Sequence, residues 1–318
     1  MNLLPVEPAY RLAERAEEPR WLVTSLWSEQ AVGIIGGEPK CCKSFLALDL
    51  AVSVAAGAPC LRRFSVPRRG RVLLYAAEDA LHIVRRRLEG ISSAAGMVLG
   101  DLDIQVITAP TLRLDLEADR KALEATVAAL APRLLVLDPF VRLHRIDENA
   151  SGEVAPLLAY LRELQRRHGV AVAVVHHAKK GAGRVRAGQA LRGSSEFHAW
   201  GDSNLYLRRN GELRDGELTL SVEHRAASCI PALTLELAQR ANALALEVVE
   251  RHTPRLLPHS SVDERIIKAL AGGNRPLPFS ELRALCRVRT ATLYERLAAF
   301  AAAGRLVKSE QGYHLTGP

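Results

Sequence analysis

The sequence predicts an α/β fold, with a mostly parallel β-sheet covered by helices on both faces and a small helical domain after it. Three observations lead to this prediction. Apolar runs alternate with helical patterns from about residue 31 to residue 209, a glycine-containing loop follows the first run, and the pattern changes after a proline-containing segment near residue 254. At 318 residues, the chain is long enough for one large and one small domain.

Six apolar runs are the predicted strands of the core, and several are continuous, as expected for strands that are buried on both faces. They lie at 31–35, 71–76, 104–108, 134–137, 170–175 and 204–207. Between them, apolar residues recur at helical spacing, which predicts four helices. These helices lie at 43–56, 80–88, 118–131 and 153–168. Alternating segments at 218–222, 233–237 and 243–249 predict an antiparallel extension of the sheet.

The last part of the chain has a pattern of its own. Residues 252–261 include two prolines and two serines and predict a linker. After it, three helices at 262–270, 279–286 and 290–303 and a hairpin at 305–315 resemble a winged helix-turn-helix. This region could contact duplex DNA or dock another protein. The sequence does not decide between the two, because the third helix region has only Arg289 and Arg296 at its polar positions. We therefore expect one domain over 1–251, with a lead-in at 1–30, and a second domain over 262–318.

Composition narrows the possible partners. The net charge of +8 and a sequence pI near 9.5 favour a polyanionic partner, although arginine-rich proteomes also show this balance. Aromatic residues make up 5% of the chain, which argues against base stacking as the main contact with nucleic acid. Five cysteines without framework spacing favour a reducing compartment. No signal peptide, membrane span or metal-ligand cluster is recognisable, so we expect a cytoplasmic protein without membrane contact.

A nucleotide-binding P-loop is predicted between the first strand and the first helix. Its sequence is Gly36-Gly37-Glu38-Pro39-Lys40-Cys41-Cys42-Lys43-Ser44, and Phe45 follows in the helix. In such a loop, backbone amides and the positive end of the helix surround the phosphates. Lys43 is expected to reach the β- and γ-phosphates, and the Ser44 hydroxyl is expected to bind Mg²⁺. Cys42 stands where the motif has Gly, so its Cβ is expected to crowd the phosphate or strain the turn.

Carboxylates follow two other predicted strands. Asp138 ends the run at 134–137 and has the form of a Walker B acid, which holds Mg²⁺ through its water shell, although an Asp there is also a common turn or cap residue. Glu78 and Asp79 follow the run at 71–76. Glu78 can orient the attacking water, and Asp79 is expected to cap the next helix.

A pair of histidines and a basic loop follow the strand predicted at 170–175. A polar side chain at this strand end, His176 or His177, can hydrogen-bond a γ-phosphate. The loop at 179–188 has four cations and no acid, which fits contact with a phosphate backbone better than an ordinary solvated loop. The cations are Lys179, Lys180, Arg184 and Arg186. Separately, the lysines beside Cys41 predict a lowered pKa for its thiol.

Together, these motifs resemble those of a RecA-like P-loop ATPase, in particular the RepA-like, plasmid replicative-helicase type of hexameric ATPase, over about 21–250. The resemblance implies ATP and Mg²⁺ as ligands, with residues 37–45 and Asp138 around them. It implies that Glu78 activates water and that His177 senses the γ-phosphate. It also implies that 179–192, including Arg192, lines a central channel for single-stranded DNA. An arginine finger is implied at Arg208 or Arg209, facing the nucleotide of a neighbouring subunit.

Three functions are compatible with these features. The first is an ATP-dependent motor on single-stranded DNA, a ring helicase or loader for replication of a plasmid, phage or other mobile element. The second is a nucleotide-switched regulator that reads duplex DNA through its C-terminal domain. The third is an ATP-binding scaffold in a defence or partner complex, with weak hydrolysis because of Cys42. We expect the first, as a homo-hexamer, and Glu78 argues against an inactive enzyme.

Overall fold

A computed structural model describes residues 4–11, 20–177, 196–209, 216–240, 243–249, 262–271, 276–286, 288, 290–309 and 312–316. The chain divides into two compact units, Met1–Glu250 and Arg251–Pro318. Among the described residues, no helix is both long enough and apolar enough to span a bilayer.

A nine-stranded sheet forms the centre of the first unit, and a short hairpin of β1 (Trp21–Val23) and β2 (Trp27–Ser28) precedes it. The strands of the sheet are β3 (Val32–Gly37), β4 (Val72–Ala76), β5 (Ile104–Val106), β6 (Leu134–Asp138), β7 (Ala171–His177), β8 (Ser203–Arg209), β9 (Glu217–His224), β10 (Leu233–Arg240) and β11 (Ala243–Val248). Their spatial order is β11-β10-β9-β8-β3-β7-β6-β4-β5. All pairs from β8 to β5 are parallel, and those from β8 to β11 are antiparallel. The predicted α/β fold and its antiparallel extension are thus confirmed.

Helices cover both faces of this sheet. On one face, α1 (Lys43–Ala56) and α2 (Leu81–Ala94) contact each other and share an apolar core with β3, β4 and β8. On the other face, α3 (Glu117–Leu130), α4 (Ser151–His168) and the short α5 (Glu196–Trp200) pack over a second apolar core. The central strands are apolar on both sides because each of their faces is covered.

Several boundaries differ from the prediction. α2 continues six residues beyond the predicted end at 88, because Ile91 and Ser92 are also buried. Gly90 lies where α2 crosses β11, and a Cβ there would come within 3.3 Å of the Cβ of Ala243. β3 includes Gly36 and Gly37, since both pair with β7. The hairpin β1–β2 lies in the segment expected to be a lead-in without strands.

The described residues of the second unit form three helices followed by a hairpin. The helices are α6 (Val262–Ala271), α7 (Phe279–Cys286) and α8 (Thr290–Ala302), and the hairpin strands are β12 (Leu306–Ser309) and β13 (Gly312–Leu315). Leu277 pairs with Tyr313 of β13, and the helices bury Ile266, Leu282 and Leu293 in a separate core. The winged-helix assignment stays a prediction, and the predicted linker at 252–261 lies outside the described residues.

Candidate functional site

The carboxyl ends of the central parallel strands meet at one edge of the sheet, where a cavity of about 310 Å³ opens. Gly37 of β3 pairs with His177 of β7, and Ala76 of β4 pairs with Asp138 of β6. The cavity is lined by Lys40, Cys41, Cys42, Lys43, Ser44, Phe45, Ala76, Glu78, Asp79, Arg87, Asp138, Val175 and His177. Motifs that are up to about 140 residues apart in the sequence therefore share one cavity.

The backbone of the P-loop is tightly folded. Gly37 begins it, and a Cβ at this position would lie 2.4 Å from the carbonyl oxygen of Leu207, so only glycine lets β8 pack this closely. Glu38 and Pro39 continue the loop without lining the cavity. The Nζ atom of Lys43 donates a hydrogen bond to the carbonyl oxygen of Glu38 at 2.8 Å, so this side chain spans the loop.

Cys42 occupies the position where the motif has glycine, and its backbone is left-handed, with φ 57° and ψ 25°. Such a conformation costs a non-glycine residue roughly 1–2 kcal/mol. The sequence predicted that Cys42 crowds the phosphate or strains the turn. The left-handed backbone shows that the turn is strained. The Cys42 side chain makes no capping hydrogen bond to α1, so it does not compete with an anion for the first amides of this helix.

The two thiols of the loop do not have the expected chemistry. The prediction of a lowered pKa for Cys41 is wrong, because burial raises the pKa of this thiol and outweighs the opposing effect of Lys43. Burial also raises the pKa of Cys42. Both residues are thus mainly protonated at neutral pH, and a thiol in this form is a poor nucleophile.

Charged groups are concentrated in the cavity. Burial lowers the pKa of Lys43. Burial also raises the pKa of Asp138 to about 6, with a hydrogen bond from the Ser44 hydroxyl acting in the opposite direction and Asp79 adding to the rise. With Glu78, three carboxylates face one buried lysine. A hydroxyl and carboxylates are the oxygen ligands that Mg²⁺ prefers. Ser44 and Asp138 therefore fit the predicted magnesium role.

The two carboxylates after β4 have different partners. Glu78 accepts a hydrogen bond from Nε of Arg142 at 3.0 Å, in an ion pair on the short helical turn after Asp138. Asp79 forms an ion pair with Arg87 of α2. The prediction that Asp79 caps α2 is wrong, because Ala80 is the residue before this helix and no side chain caps it. Asp79 instead fixes an arginine at the edge of the cavity.

Arg87 and Arg142 are site residues that the sequence analysis missed. The guanidinium of Arg87 lies 5.2 Å from the ring centroid of Phe45, the residue after Ser44. Helical spacing could have indicated Arg87, since it lies three residues after the buried Val84. No comparable signal distinguishes Arg142 in the sequence.

The structure separates the roles of the two histidines at the end of β7. His176 is 1% exposed and stacks on Phe197, with ring centroids 4.2 Å apart. His177 points to the opposite face and lines the cavity. The predicted γ-phosphate contact can therefore be made by His177, whereas His176 belongs to the core.

The two arginines at the end of β8 lie on opposite faces of the sheet. Arg209 shares a face with Leu207, which packs in the core beneath α1. Its Nη2 atom donates to the carbonyl oxygen of Lys40 at 3.3 Å, within the P-loop of its own chain. Arg208 lies on the face of Tyr206, which belongs to the other core. The predicted DNA-contacting residues Lys179, Lys180, Arg184, Arg186 and Arg192 lie outside the described residues.

Comparisons with known proteins agree with this architecture. A family model described as an AAA domain matches residues 2–183. A solved ATPase domain superposes with a TM-score of 0.54 at 13% sequence identity, covering 68% of this chain and 84% of that chain. The RadB recombinase gives a TM-score of 0.50 at 17% identity, covering 70% and 92%.

A DnaB-like replicative helicase, solved in work on its interactions with primase, gives a TM-score of 0.54 at 12% identity. The superposition covers 68% of this chain and 57% of the helicase chain, so it spans less than two thirds of that relative. At identities this low, the superpositions show a shared fold and no more. That fold is the one of RecA-like P-loop ATPases.

Proposed function

The chain belongs to the AAA domain family and has a RecA-like P-loop ATPase fold, and from this premise we propose that it is an ATP-driven motor on single-stranded DNA. We place it with the RepA-like hexameric helicases or loaders that serve a plasmid, phage or other mobile element. The observation that carries the proposal is the shared cavity at the ends of β3, β4, β6 and β7, which holds Lys43, Ser44, Glu78, Asp138 and His177 together.

In the proposed reaction, ATP binds in the loop, where the Lys43 side chain now reaches across to Glu38. Lys43 exchanges the carbonyl oxygen of Glu38 for the β- and γ-phosphates, and the first amides of α1 bind the same anion. Glu78 keeps its ion pair with Arg142 and orients the attacking water, which displaces ADP from the γ-phosphorus. His177 hydrogen-bonds the γ-phosphate and links its presence to the segment that follows β7.

Ser44 and Asp138 are the residues that would hold Mg²⁺, which stabilises the charge of the phosphates when it is bound. Before ATP binds, the same hydroxyl and carboxylate are hydrogen-bonded to each other. The two proposed Mg²⁺ ligands, Ser44 and Asp138, therefore already lie next to each other in the folded protein.

Substitution of Lys43 and Glu78 tests the chemistry. Lys43→Ala should abolish binding of a fluorescent ATP analogue. Glu78→Gln should keep binding and reduce kcat by roughly 10²- to 10⁴-fold, the usual contribution of a positioned general base. Asp101→Asn, at an exposed carboxylate of the same unit, is the control and should behave as wild type. Hydrolysis at the normal rate by Glu78→Gln would show that this carboxylate does not activate water.

The arginines of β8 suggest how subunits cooperate. Because Arg209 donates to its own P-loop, we assign it to positioning the loop in cis, and we assign the finger role in trans to Arg208. Mixing Arg208→Ala subunits with Lys43→Ala subunits should then restore part of the ATPase activity, since each intact P-loop gains an intact Arg208 from its neighbour. The same mixture made with Arg209→Ala should restore none, because the defect stays in the chain that carries the intact lysine.

The basic second unit favours a second function, a nucleotide-switched regulator that reads duplex DNA. The two functions differ in how DNA affects hydrolysis. We expect ATPase activity to rise with single-stranded DNA, and to rise less with a duplex of the same sequence. Stimulation by duplex alone would favour the regulator.

A further inference from the structure

The second unit has a cavity of its own that the ATPase proposal does not use. It measures about 570 Å³, within the range of roughly 300–1,000 Å³ that is typical of small-ligand sites. It lies between the start of α7, the start of α8 and the hairpin of β12 and β13. Its lining consists of Pro278, Phe279, Thr290, Tyr294, Lys308, Ser309, Gly312 and Tyr313.

Three aromatic rings meet at this cavity, although aromatic residues are only 5% of the chain. The ring centroid of Phe279 lies 6.2 Å from that of Tyr294 and 6.5 Å from that of Tyr313. Tyr294 is 65% exposed, whereas Tyr313 is 9% exposed and forms the floor. An aromatic ring that is exposed beside a cavity offers a flat surface on which another planar group can stack.

The backbone holds these rings in place. Tyr313 and Leu277 exchange two backbone hydrogen bonds of 2.9 Å each, which fixes β13 against the residue that precedes α7. Gly312 permits this contact, because a Cβ there would lie 2.4 Å from the carbonyl oxygen of Leu277. The floor of the cavity is therefore formed by backbone pairing as well as by side-chain packing.

The cavity is also suited to an anion. Among the described residues, the one charged side chain in its lining is Lys308, whose Nζ atom lies 5.9 Å from the ring centroid of Tyr313. Thr290 begins α8, so the positive end of this helix opens onto the same cavity. Residues 251–318 carry eleven Lys or Arg against five Asp or Glu, whereas the other 250 residues carry 32 against 30. Most of the net charge of the chain thus lies in this small unit.

We propose that this cavity binds an unpaired nucleotide of single-stranded nucleic acid. The base stacks on the exposed ring of Tyr294 and contacts the tilted ring of Phe279 beside it, and the adjoining phosphate lies between Lys308 and the start of α8. A flat apolar surface and a cation side by side match a base and its phosphate, whereas a neutral peptide has no use for the cation and a paired base cannot present its face. The proposal concerns the second unit and does not depend on ATP hydrolysis.

The test measures binding of fluorescent oligo(dT) by the full chain. It is done without nucleotide in a background in which Lys179, Lys180, Arg184 and Arg186 are changed to Ala. Tyr294→Ala should weaken binding by about 5- to 100-fold, the range expected for loss of one stacking ring. Tyr294→Phe keeps the ring and should stay within about twofold.

A second variant and a control make the test specific. Lys308→Gln should weaken binding. It should also reduce the slope of log affinity against log salt by the amount that corresponds to about one phosphate contact. Leu285→Ala is the control, since Leu285 is 59% exposed on α7 and does not line the cavity, and its affinity should match wild type. An oligo(dT) containing 2-aminopurine should change its fluorescence on binding to wild type and not to Tyr294→Ala.

Equal oligo(dT) affinity of Tyr294→Ala and wild type would overturn the proposal in favour of a protein occupant. If Tyr294→Ala lost affinity for duplex DNA and kept its affinity for oligo(dT), the proposal would be overturned in favour of paired DNA. Either result leaves the ATPase tests unaffected, because Tyr294 and Lys308 lie outside the first unit and the ATPase tests use the chain without the loop substitutions.

Discussion

Replacing Asp138 with Asn is expected to stabilise the metal-free ATPase unit above about pH 6 while it abolishes hydrolysis. Burial raises the pKa of Asp138 from 3.8 to about 6, so between these values the folded chain holds a proton that the unfolded chain has released. The free energy of unfolding therefore falls as pH rises through this window. The difference between 3.8 and about 6 corresponds to about 3 kcal/mol above the window, and Asn avoids this loss because it carries no charge.

Urea unfolding in EDTA, between about pH 4 and about pH 8, measures this effect. The three tryptophans, Trp21, Trp27 and Trp200, all lie in the first unit, so their fluorescence reports on that unit alone. The unfolding free energy of Asp138→Asn, relative to wild type, should increase by about 3 kcal/mol across this range. Asp101→Asn, at an exposed carboxylate, is the control and should follow the wild-type curve.

A difference between Asp138→Asn and wild type that stays constant with pH would refute the reasoning, because it would mean that Asp138 is ionised in the folded chain throughout. Adding Mg²⁺ and a non-hydrolysable ATP analogue gives a second check. A bound cation favours the carboxylate over the acid, so wild type should regain stability above about pH 6, whereas the Asn variant should gain less.

Three further substitutions test the packing around the site. Gly33→Ala should lower the unfolding free energy by about 1–3 kcal/mol, because the new Cβ would lie 1.7 Å from the carbonyl oxygen of Ser203 and would push β8 away from β3. Arg62→Ala should lower it by about 3–5 kcal/mol, since it leaves Asp49, which is 1% exposed, without its ion-pair partner. Cys42→Gly should stay within about 1 kcal/mol of wild type, because relief of the left-handed strain and the greater entropy of the unfolded chain offset each other.

Matched variants separate these effects from general damage. Gly100→Ala introduces a Cβ with no atom within 4 Å, so it should be nearly neutral. Arg68→Ala removes an ion pair in which the arginine side chain is 72% exposed, and it should cost at most about 1 kcal/mol. Cys42→Val places a β-branched residue in the left-handed region and should be less stable than wild type by about 1–2 kcal/mol. Equal stability within any pair would contradict the corresponding explanation.

The core of the first unit could be predicted because its strands are buried on both faces and therefore appear as continuous apolar runs. β6 and β7 are of this kind, and α1 has the predicted bounds. The hairpin of β1 and β2 was missed because its strands are only three and two residues long, too short for a periodic pattern. The end of α2 was predicted too early, at 88, because the burial of Ile91 and Ser92 and the approach of β11 at Gly90 come from a segment more than 150 residues away.

The site was predictable where one local motif defines a residue and not where two distant segments meet. Lys43 was predicted from the loop before α1, and Asp138 and His177 were predicted from strand ends, and the structure brings the three residues to one cavity. The partner of Glu78 was not predictable, because Arg142 lies 64 residues away. The pKa of Cys41 was predicted in the wrong direction because charge can be seen in the sequence and burial cannot. The aromatic cavity of the second unit likewise depends on rings up to 34 residues apart.

The charge pairing around the ATPase cavity bears on how this chain would stabilise the charge that develops during hydrolysis. Three arginines are described at or beside this cavity, and each already has a partner in its own chain. Arg142 pairs with Glu78, Arg87 pairs with Asp79, and Arg209 donates to the P-loop. Lys43 and Arg209 donate to backbone carbonyl oxygens, which an anion can replace at little cost. Stabilising the charge that develops during hydrolysis therefore requires either a rearrangement that releases one of these arginines or a cation from another subunit. We infer that the second route is the less costly, because releasing Arg142 or Arg87 would leave Glu78 or Asp79 unpaired beside Asp138.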